Sequence, residues 1–339
     1  MSELRIGRFD PAADTGQLRA AHQIVLAADR EDQPVLPPRS FAMFELWWAR
    51  GFGGDPRQTW LATAADGAAV GAAVGCYLLV LPERENTSIG LSYLYVTPQA
   101  RRRGYGSALL AHAAAQAHKA GRSRLNVEAR DDSAGAAFAA AVGARPGIAE
   151  VSRRLTVDDE LAARLPRLQA AAAERSAGYS LVSWTGLTPN QYLPDSMRLS
   201  VAMADAPRDE GVEAEFWDAE RIRHFEQTGL DAGHQFYAVA ARHDQTGRIV
   251  ALTQLRTAAD TPGWSFQALT AVLPEHRGHR LGLLVKTAML ERLRAAEPDV
   301  RFIITENAGP NDHMIAINEQ LGFEVVAVHR HWDVDTDTR

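Results

Sequence analysis

The chain has 339 residues, 46% of them apolar and 23% charged, with a formal net charge of -6 and a pI near 6.0. That length fits two ordinary globular domains, and the acidic balance argues against a nucleic-acid partner, which calls for a basic surface. The single cysteine, Cys76, allows no internal disulfide and no thiolate metal cluster, the N-terminal Met1-Ser2-Glu3-Leu4-Arg5 has no signal-like apolar run, and the most apolar stretch, Val70–Leu81, is too short to span a bilayer. These features lead us to expect a cytoplasmic enzyme without membrane association.

Periodicity predicts a strand over Leu4–Phe9, helices around Gln17–Ala28 and Phe41–Arg50, and strands over Thr59–Ala64 and Val70–Leu81 joined by the turn pair Asp66-Gly67. A strand over Ile89–Val96 follows, closed by Pro98, then an alanine-rich helix over Gly104–Ala120. The strand Arg124–Glu128, the helix Ser133–Val142 and a final strand pair ending near Leu155 complete the unit. The segment Thr156–Gly178, rich in Ala, Leu, Arg and Glu, reads as a linking helix.

The same order then recurs. Tyr179–Trp184 is the opening strand, with helices around Gln191–Ala204 and Trp217–Thr228 and a hairpin of Gln235–Arg242 and Ile249–Leu255 across Thr246-Gly247. The strand Trp264–Val272 precedes Pro274, and after it come a helix over Leu281–Ala295, a strand Val300–Thr305, a helix Asn311–Leu321 and a strand Glu324–Trp332. Leu4 lies 97 positions before Arg101, and Tyr179 lies 98 before Arg277. Arg101 lies 42 positions before Gly143, and Arg277 lies 45 before Gly322. Two preserved intervals argue for an internal duplication. The expected organisation is a domain over 1–155, a linking helix over 156–177 and a second domain over 178–339.

At the centre of each copy stand a strand, a proline, a basic run with glycine, and a helix. The first copy reads Val96-Thr97-Pro98-Gln99-Ala100-Arg101-Arg102-Arg103-Gly104-Tyr105-Gly106-Ser107. The second reads Val272-Leu273-Pro274-Glu275-His276-Arg277-Gly278-His279-Arg280-Leu281-Gly282. Unpaired N–H groups and the positive end of the dipole make a helix N-terminus an anion site. Glycine lets backbone approach a phosphate, and arginines add charge-assisted bonds. A diphosphate suits this arrangement. A P-loop does not, because no Lys follows Gly106 before Lys119. Nor does a dinucleotide fingerprint, whose third glycine position holds Leu109.

Arg101-Arg102-Arg103-Gly104-Tyr105-Gly106 resembles the pyrophosphate loop, Gln/Arg-x-x-Gly-x-Gly/Ala, of the GNAT superfamily of N-acyltransferases. Asn311-Asp312-His313-Met314-Ile315-Ala316-Ile317-Asn318-Glu319-Gln320-Leu321-Gly322-Phe323 resembles the late helix of the same family, beside the pantetheine arm. The resemblance covers both halves and is similar in layout to mycothiol synthase-type enzymes and to drug or antibiotic N-acetyltransferases. It implies an α/β fold of two GNAT-like domains, each a mixed, mostly antiparallel sheet flanked by helices, with acetyl-CoA as cosubstrate and no metal. It implies cofactor contacts from Leu94, Tyr95 and Val96 on a splayed strand and from Arg101, Arg103, Gly104, Tyr105, Gly106, Ser107 and Ala108 in the first loop. In the second copy it implies Ala271, Val272, Arg277, Gly278, Arg280, Leu281, Gly282 and Asn311. Arg280 stands where the family has its first loop glycine. The family's leaving-group acid, a tyrosine on the late helix, falls on Ala139 and Asn318, neither of which can donate as an acid.

The reaction implied is direct transfer of an acetyl group to a primary amine of a small molecule, without an acyl-enzyme. The acceptor must lose a proton, since a free alkylamine has a pKa of about 10, so a base is expected. Glu128 and Glu306, at equivalent strand ends, are candidates for it, although a glutamate there also reads as ordinary surface. Tyr95 is a candidate thiolate donor or a core aromatic. Cys76 in its apolar strand reads as a small buried hydrophobe. Trp47 and Trp48, with Phe41, Phe44 and Phe52, read as core or as the wall of an acceptor pocket. His313 reads as a catalytic candidate or, on helix periodicity, as solvent-facing, and His329 and His331 as alternating strand residues without companion metal ligands. The rival reading is a CoA-binding sensor or scaffold without turnover.

Overall fold

The computed structural model describes residues 3–65, 71–203, 208–308 and 311–337. The Asp66-Gly67 turn, Val70 and Ala204 of the sequence reading lie outside them. The chain forms two compact units, divided otherwise than the sequence boundaries suggest. The first comprises 1–149, 209–213 and 327–339, and the second 150–208 and 214–326.

In the first unit the strands are β1 (Glu3–Phe9), β2 (Arg57–Ala65), β3 (Ala72–Val80), β4 (Ile89–Val96), β5 (Arg124–Arg130) and β12 (Glu324–Asp335), and they neighbour one another in that order. All pairings are antiparallel except β4 with β5. Helices α1 (Thr15–Asp32) and α2 (Phe41–Ala49) cover one face, burying Leu18, Ile24, Val25, Phe44 and Trp48 against Leu61, Cys76 and Leu78. Helices α3 (Tyr105–Lys119) and α4 (Ala134–Ala141) cover the other, with Leu109, Leu110 and Ala113 against Tyr77, Leu79 and Leu125. Alternation along β3 sends Cys76 and Leu78 to one face and Tyr77 and Leu79 to the other. Short polar side chains start the helices, as N-cap residues should: Asp14 accepts from the Gln17 amide, and Ser133 from those of Gly135 and Ala136.

The second unit repeats this plan with β7 (Tyr179–Thr185), β8 (His234–His243), β9 (Ile249–Ala258), β10 (Trp264–Val272), β11 (Phe302–Ala308) and β6 (Arg145–Thr156), where β10 with β11 is the parallel pair. Helices α6 (Leu193–Ala202), α7 (Ala219–Asp231), α8 (Leu281–Ala296) and α9 (Asp312–Leu321) flank it. The linking segment forms α5 (Asp159–Ala173), capped by Asp158, and its buried Leu161, Leu165 and Ala172 pack against α8.

The departure from the sequence reading lies in the closing strands. The expected strand pair ending near Leu155 is one 12-residue strand, β6, whose residues Glu150–Thr156 pair with β11. The partner of β5 is β12, from the far end of the chain, with His331 opposite Glu128 and Asp333 opposite Asn126. Each half of the sequence therefore lends its last strand to the other half's sheet. Periodicity locates a strand but does not name its neighbour.

Candidate active site

In the first unit the parallel pairing of β4 and β5 runs only from Ile89↔Arg124 to Ser92↔Val127. Beyond it Tyr93–Val96 keep β3 as partner on one side, while the side toward β5 opens as a wedge. The chain leaves β4 through a 3-10 turn, Pro98–Ala100, and enters α3 with Arg102 at φ 64° and Gly104 at φ 84°. The angle at 104 favours glycine, while the space around it is open. Among the described residues no side chain caps α3, so its first-turn amides face outward unpaired. Left-handed residues alternating with ordinary ones before a helix make an anion-binding concavity.

Arg101 does not offer its charge to this concavity. Its guanidinium pairs with Asp32 at 2.6 Å and Glu31 at 3.0 Å and donates to the Val96 carbonyl, so it ties the loop to α1 and β4. Arg102, Arg103, Gly104 and Ser107 are exposed, whereas Tyr105 is buried. A Cβ at Gly106 would meet the Phe138 ring on α4 at 3.5 Å, an ordinary contact, so this position faces α4 and not the loop's open side. Leu94 and Val96 pack on the α3 face of the sheet, and Tyr95 on the α1 face.

Across the wedge, β5 and β12 carry a ladder of polar pairs. Arg124 bonds Asp333 at 3.0 Å, Asn126 bonds Asp333 and His331, and Glu128 lies 3.3 Å from Nδ1 of His329. Glu128 keeps 37% of its side chain exposed, while His329 keeps 6%. Crowding around the Glu128 carboxyl pushes its pKa up, but the bond to His329 and the charges of His329, His331 and Arg39 outweigh this and lower it. Glu128 is therefore a carboxylate at neutral pH. Tyr95, on the same face, has its pKa raised by desolvation against the opposing pull of Arg39, and it stays protonated. The Arg39 guanidinium lies 5.9 Å from the Tyr95 ring and 5.6 Å from that of Trp47, and pairs with Asp29 at 2.8 Å. Trp47 meets Tyr93 edge-on at 4.5 Å. Trp47, Tyr93, Tyr95 and Arg39 are half-buried on the face of the sheet that also carries the Glu128 carboxylate.

His329 and His331 are thus not idle strand residues, and sequence reading misses them because the partner of β12 lies far away in the chain, with His331 opposite Glu128. Trp48 and Phe44 are fully buried core, as is Cys76, whose thiol pKa is pushed up by burial. Phe41 lies under Arg19 at 4.2 Å, and His313 is exposed.

The second unit shows the same wedge with different contents. Parallel pairing stops at Phe266↔Ile304, and β10 carries a bulge between Gln267 and Leu269. In its loop Gly278 has φ 85° and Arg280 φ 54°, so Arg280 adopts the left-handed conformation that its glycine counterpart would take freely. The Arg280 side chain donates to the Ala171 carbonyl at the end of α5, and Ser176 donates to the His279 carbonyl. Arg277 and Gly278 are exposed, while Leu281 and Gly282 are buried and a Cβ at Gly282 would meet Ile317 at 2.9 Å. Ala271 is buried and Val272 half-buried. Asn311 is the N-cap of α9, accepting from the Met314 amide. Glu306 is exposed and accepts from Ser152 at 3.2 Å, with no histidine in the place His329 holds beside Glu128.

With this geometry in hand, the comparisons define the class. Residues 20–143 match the acetyltransferase (GNAT) family. A tandem GNAT protein from the clavulanic acid biosynthesis pathway is 29% identical with a TM-score of 0.77, over 98% of this chain and 99% of that one. A GCN5-related N-acetyltransferase from Sphaerobacter thermophilus is 17% identical with a TM-score of 0.66, over 98% and 96% of the two chains. A glucosamine N-acetyltransferase region of a fungal multi-domain β-N-acetylglucosaminidase, 16% identical with a TM-score of 0.64, shares the fold over 98% of this chain and 38% of that one. No curated protein matches the sequence. Residues 20–143 belong to the GNAT family, and the chain has the two-domain layout of the tandem GNAT protein it is similar to. Its reaction class is acyl transfer from acyl-CoA, the cosubstrate of that family. Among the described residues no helix is long and apolar enough to cross a membrane, and no group of three or more His, Cys, Asp or Glu could hold a metal ion.

Proposed function

We propose that this protein transfers an acetyl group from acetyl-CoA to a primary amine of a small molecule, with the diphosphate of the cofactor on the loop 101–108. The observation that carries this reading is the uncapped α3 N-terminus opening beside the wedge of β4 and β5. Backbone amides of Arg103–Ser107 hold the diphosphate, and the unpaired side of Tyr93–Val96 takes the pantetheine and faces the thioester oxygen as negative charge develops on it. Glu128, ionised beside His329, takes a proton from the acceptor ammonium through water. The amine nitrogen then attacks the thioester carbonyl and loses its second proton to water, the tetrahedral intermediate expels the thiolate, and Tyr95, reprotonated by solvent, or solvent itself gives a proton to sulfur. The acidic balance of the chain suits a cationic acceptor such as an amino sugar, an aminoglycoside or a polyamine.

Thiol release from acetyl-CoA in the presence of a panel of such amines tests this. Glu128→Gln is expected to lower the first unit's kcat by about 10²–10⁴-fold with little change in KM for acetyl-CoA. One observation favours a second reading, a CoA-binding sensor or scaffold. Ala139, 2% exposed, sits where a leaving-group acid would be. Binding of acetyl-CoA without thiol release for any amine would support it.

A further inference from the structure

The two wedges differ most at their apex on the side of the second pair of helices. In the first unit Leu110 of α3 and Ala139 of α4 are buried apolar residues there, with Ala129 on β5. At the corresponding places the second unit has Lys286 on α8, Asn318 on α9 and Asn307 on β11. Lys286 is 3% exposed and Asn318 wholly buried. Nζ of Lys286 donates to Oδ1 of Asn318 at 2.9 Å and to Oε1 of Gln267 at 3.1 Å. Asn318 donates onward to Asn307 at 2.9 Å, and Gln267, at the bulge of β10, donates to the Gln254 and Leu269 carbonyls at 2.6 and 2.8 Å. One polar chain thus joins the four elements that border the opening between β10 and β11.

A buried lysine ordinarily has a carboxylate against it. Here both partners are neutral amides, and the remaining surroundings, Thr253 and Leu255 on β9, Ile303 on β11, Leu321 and Phe323, include no titratable group. Two of three N–H bonds have acceptors among the described residues, the Phe323 ring lies 5.1 Å from Nζ, and Lys286 lines a small cavity with Gln267 and Ile303. A site that holds a cation without a counter-ion is complementary to an anion formed during reaction. Acyl transfer from a thioester forms one, the thiolate.

We infer that Lys286 is the proton donor to the departing CoA thiolate in a second acyl-transfer centre, built in the second unit. The inference rests on the acyltransferase reading above. As the amine nitrogen bonds to the carbonyl carbon and the C–S bond breaks, its electron pair goes to sulfur, which takes a proton from the Lys286 ammonium. The neutral amine left at Nζ regains a proton from water, and the proton lost by the acceptor passes to solvent. Burial lowers the Lys286 pKa to about 7, so both forms are accessible at neutral pH.

The test is thiol release in a Ser107→Glu background, where added charge at the first loop repels a diphosphate and leaves the second unit's turnover. With Lys286→Met added, kcat is expected to fall by about 10²–10⁴-fold at unchanged KM, and the decline of kcat above about pH 7 expected with Lys286 present should be absent. A purely structural role would move stability and KM but not that limb. No turnover in the Ser107→Glu protein, while wild type turns over, would overturn this inference and leave the acyltransferase reading standing. So would an unchanged kcat and pH profile in Lys286→Met. No thiol release from wild type would overturn both.

Discussion

Arg101 holds the residue by which the first loop is recognised in sequence, yet its guanidinium is engaged with Asp32, Glu31 and the Val96 carbonyl. Its contribution to cofactor binding is therefore loop placement, and Arg101→Ala is expected to weaken acetyl-CoA binding by about tenfold, roughly 1.4 kcal/mol, as read by calorimetry. An unchanged affinity would contradict that role. The glycine pattern was legible because φ above zero at Gly104 leaves few alternatives to glycine. The chemistry around Glu128 was not, because a side chain's ionisation depends on neighbours brought from distant sequence. His234 makes the same point. Burial, with the charge of Arg256 adding to it, lowers its pKa from 6.5 to about 4. Between these values the unfolded chain binds more protons than the folded one, so stability falls as pH drops from about 6.5 to about 4. The loss is at most about 3 kcal/mol. His234→Gln should flatten this part of the stability–pH curve in denaturant titrations, and a curve unchanged by the substitution would contradict a neutral buried imidazole.

At the scale of elements, most helices and strands were readable from periodicity, and Ile89–Val96 and Trp264–Val272 have the bounds the pattern gives them. Proline at 98 and 274 ends those strands, which is why their ends were sharp. Strand partnership was the part that periodicity could not supply. β6 and β12 carry similar alternation, and nothing local distinguishes pairing with β5 from pairing with β11. The exchange has a consequence for fragments. A piece ending at Leu155 keeps β5 without β12 and β6 without β11, which leaves β5 short of its partner and buried Trp332 and Val334 out of the α3 core. Such a fragment is expected to give a poorly dispersed amide NMR spectrum and to aggregate. A well-dispersed spectrum with a cooperative melt would mean the exchange is dispensable.

On the scale of the molecule, duplication gave the chain two wedges, and the residues in them have diverged. The first combines an open diphosphate loop with a carboxylate–histidine pair. The second has its loop tethered by Arg280 and Ser176 to the end of α5 and a buried lysine at its apex. Both the duplication and the loops were visible in sequence as preserved intervals, whereas the divergence is spread over single residues on four elements and became readable only once they were brought together.

The central claim is that the α3 loop binds the diphosphate of acetyl-CoA, and calorimetric titration of wild type and Ser107→Glu tests it most directly. Ser107 is exposed in the first turn of α3, where a glutamate favours the helix by about 0.3–1 kcal/mol, so lost binding would not reflect lost folding. The account predicts that wild type binds acetyl-CoA and that Ser107→Glu loses the site on the first unit with its melting temperature kept. Equal binding at that site by the two proteins, or no binding of acetyl-CoA by wild type, would contradict it.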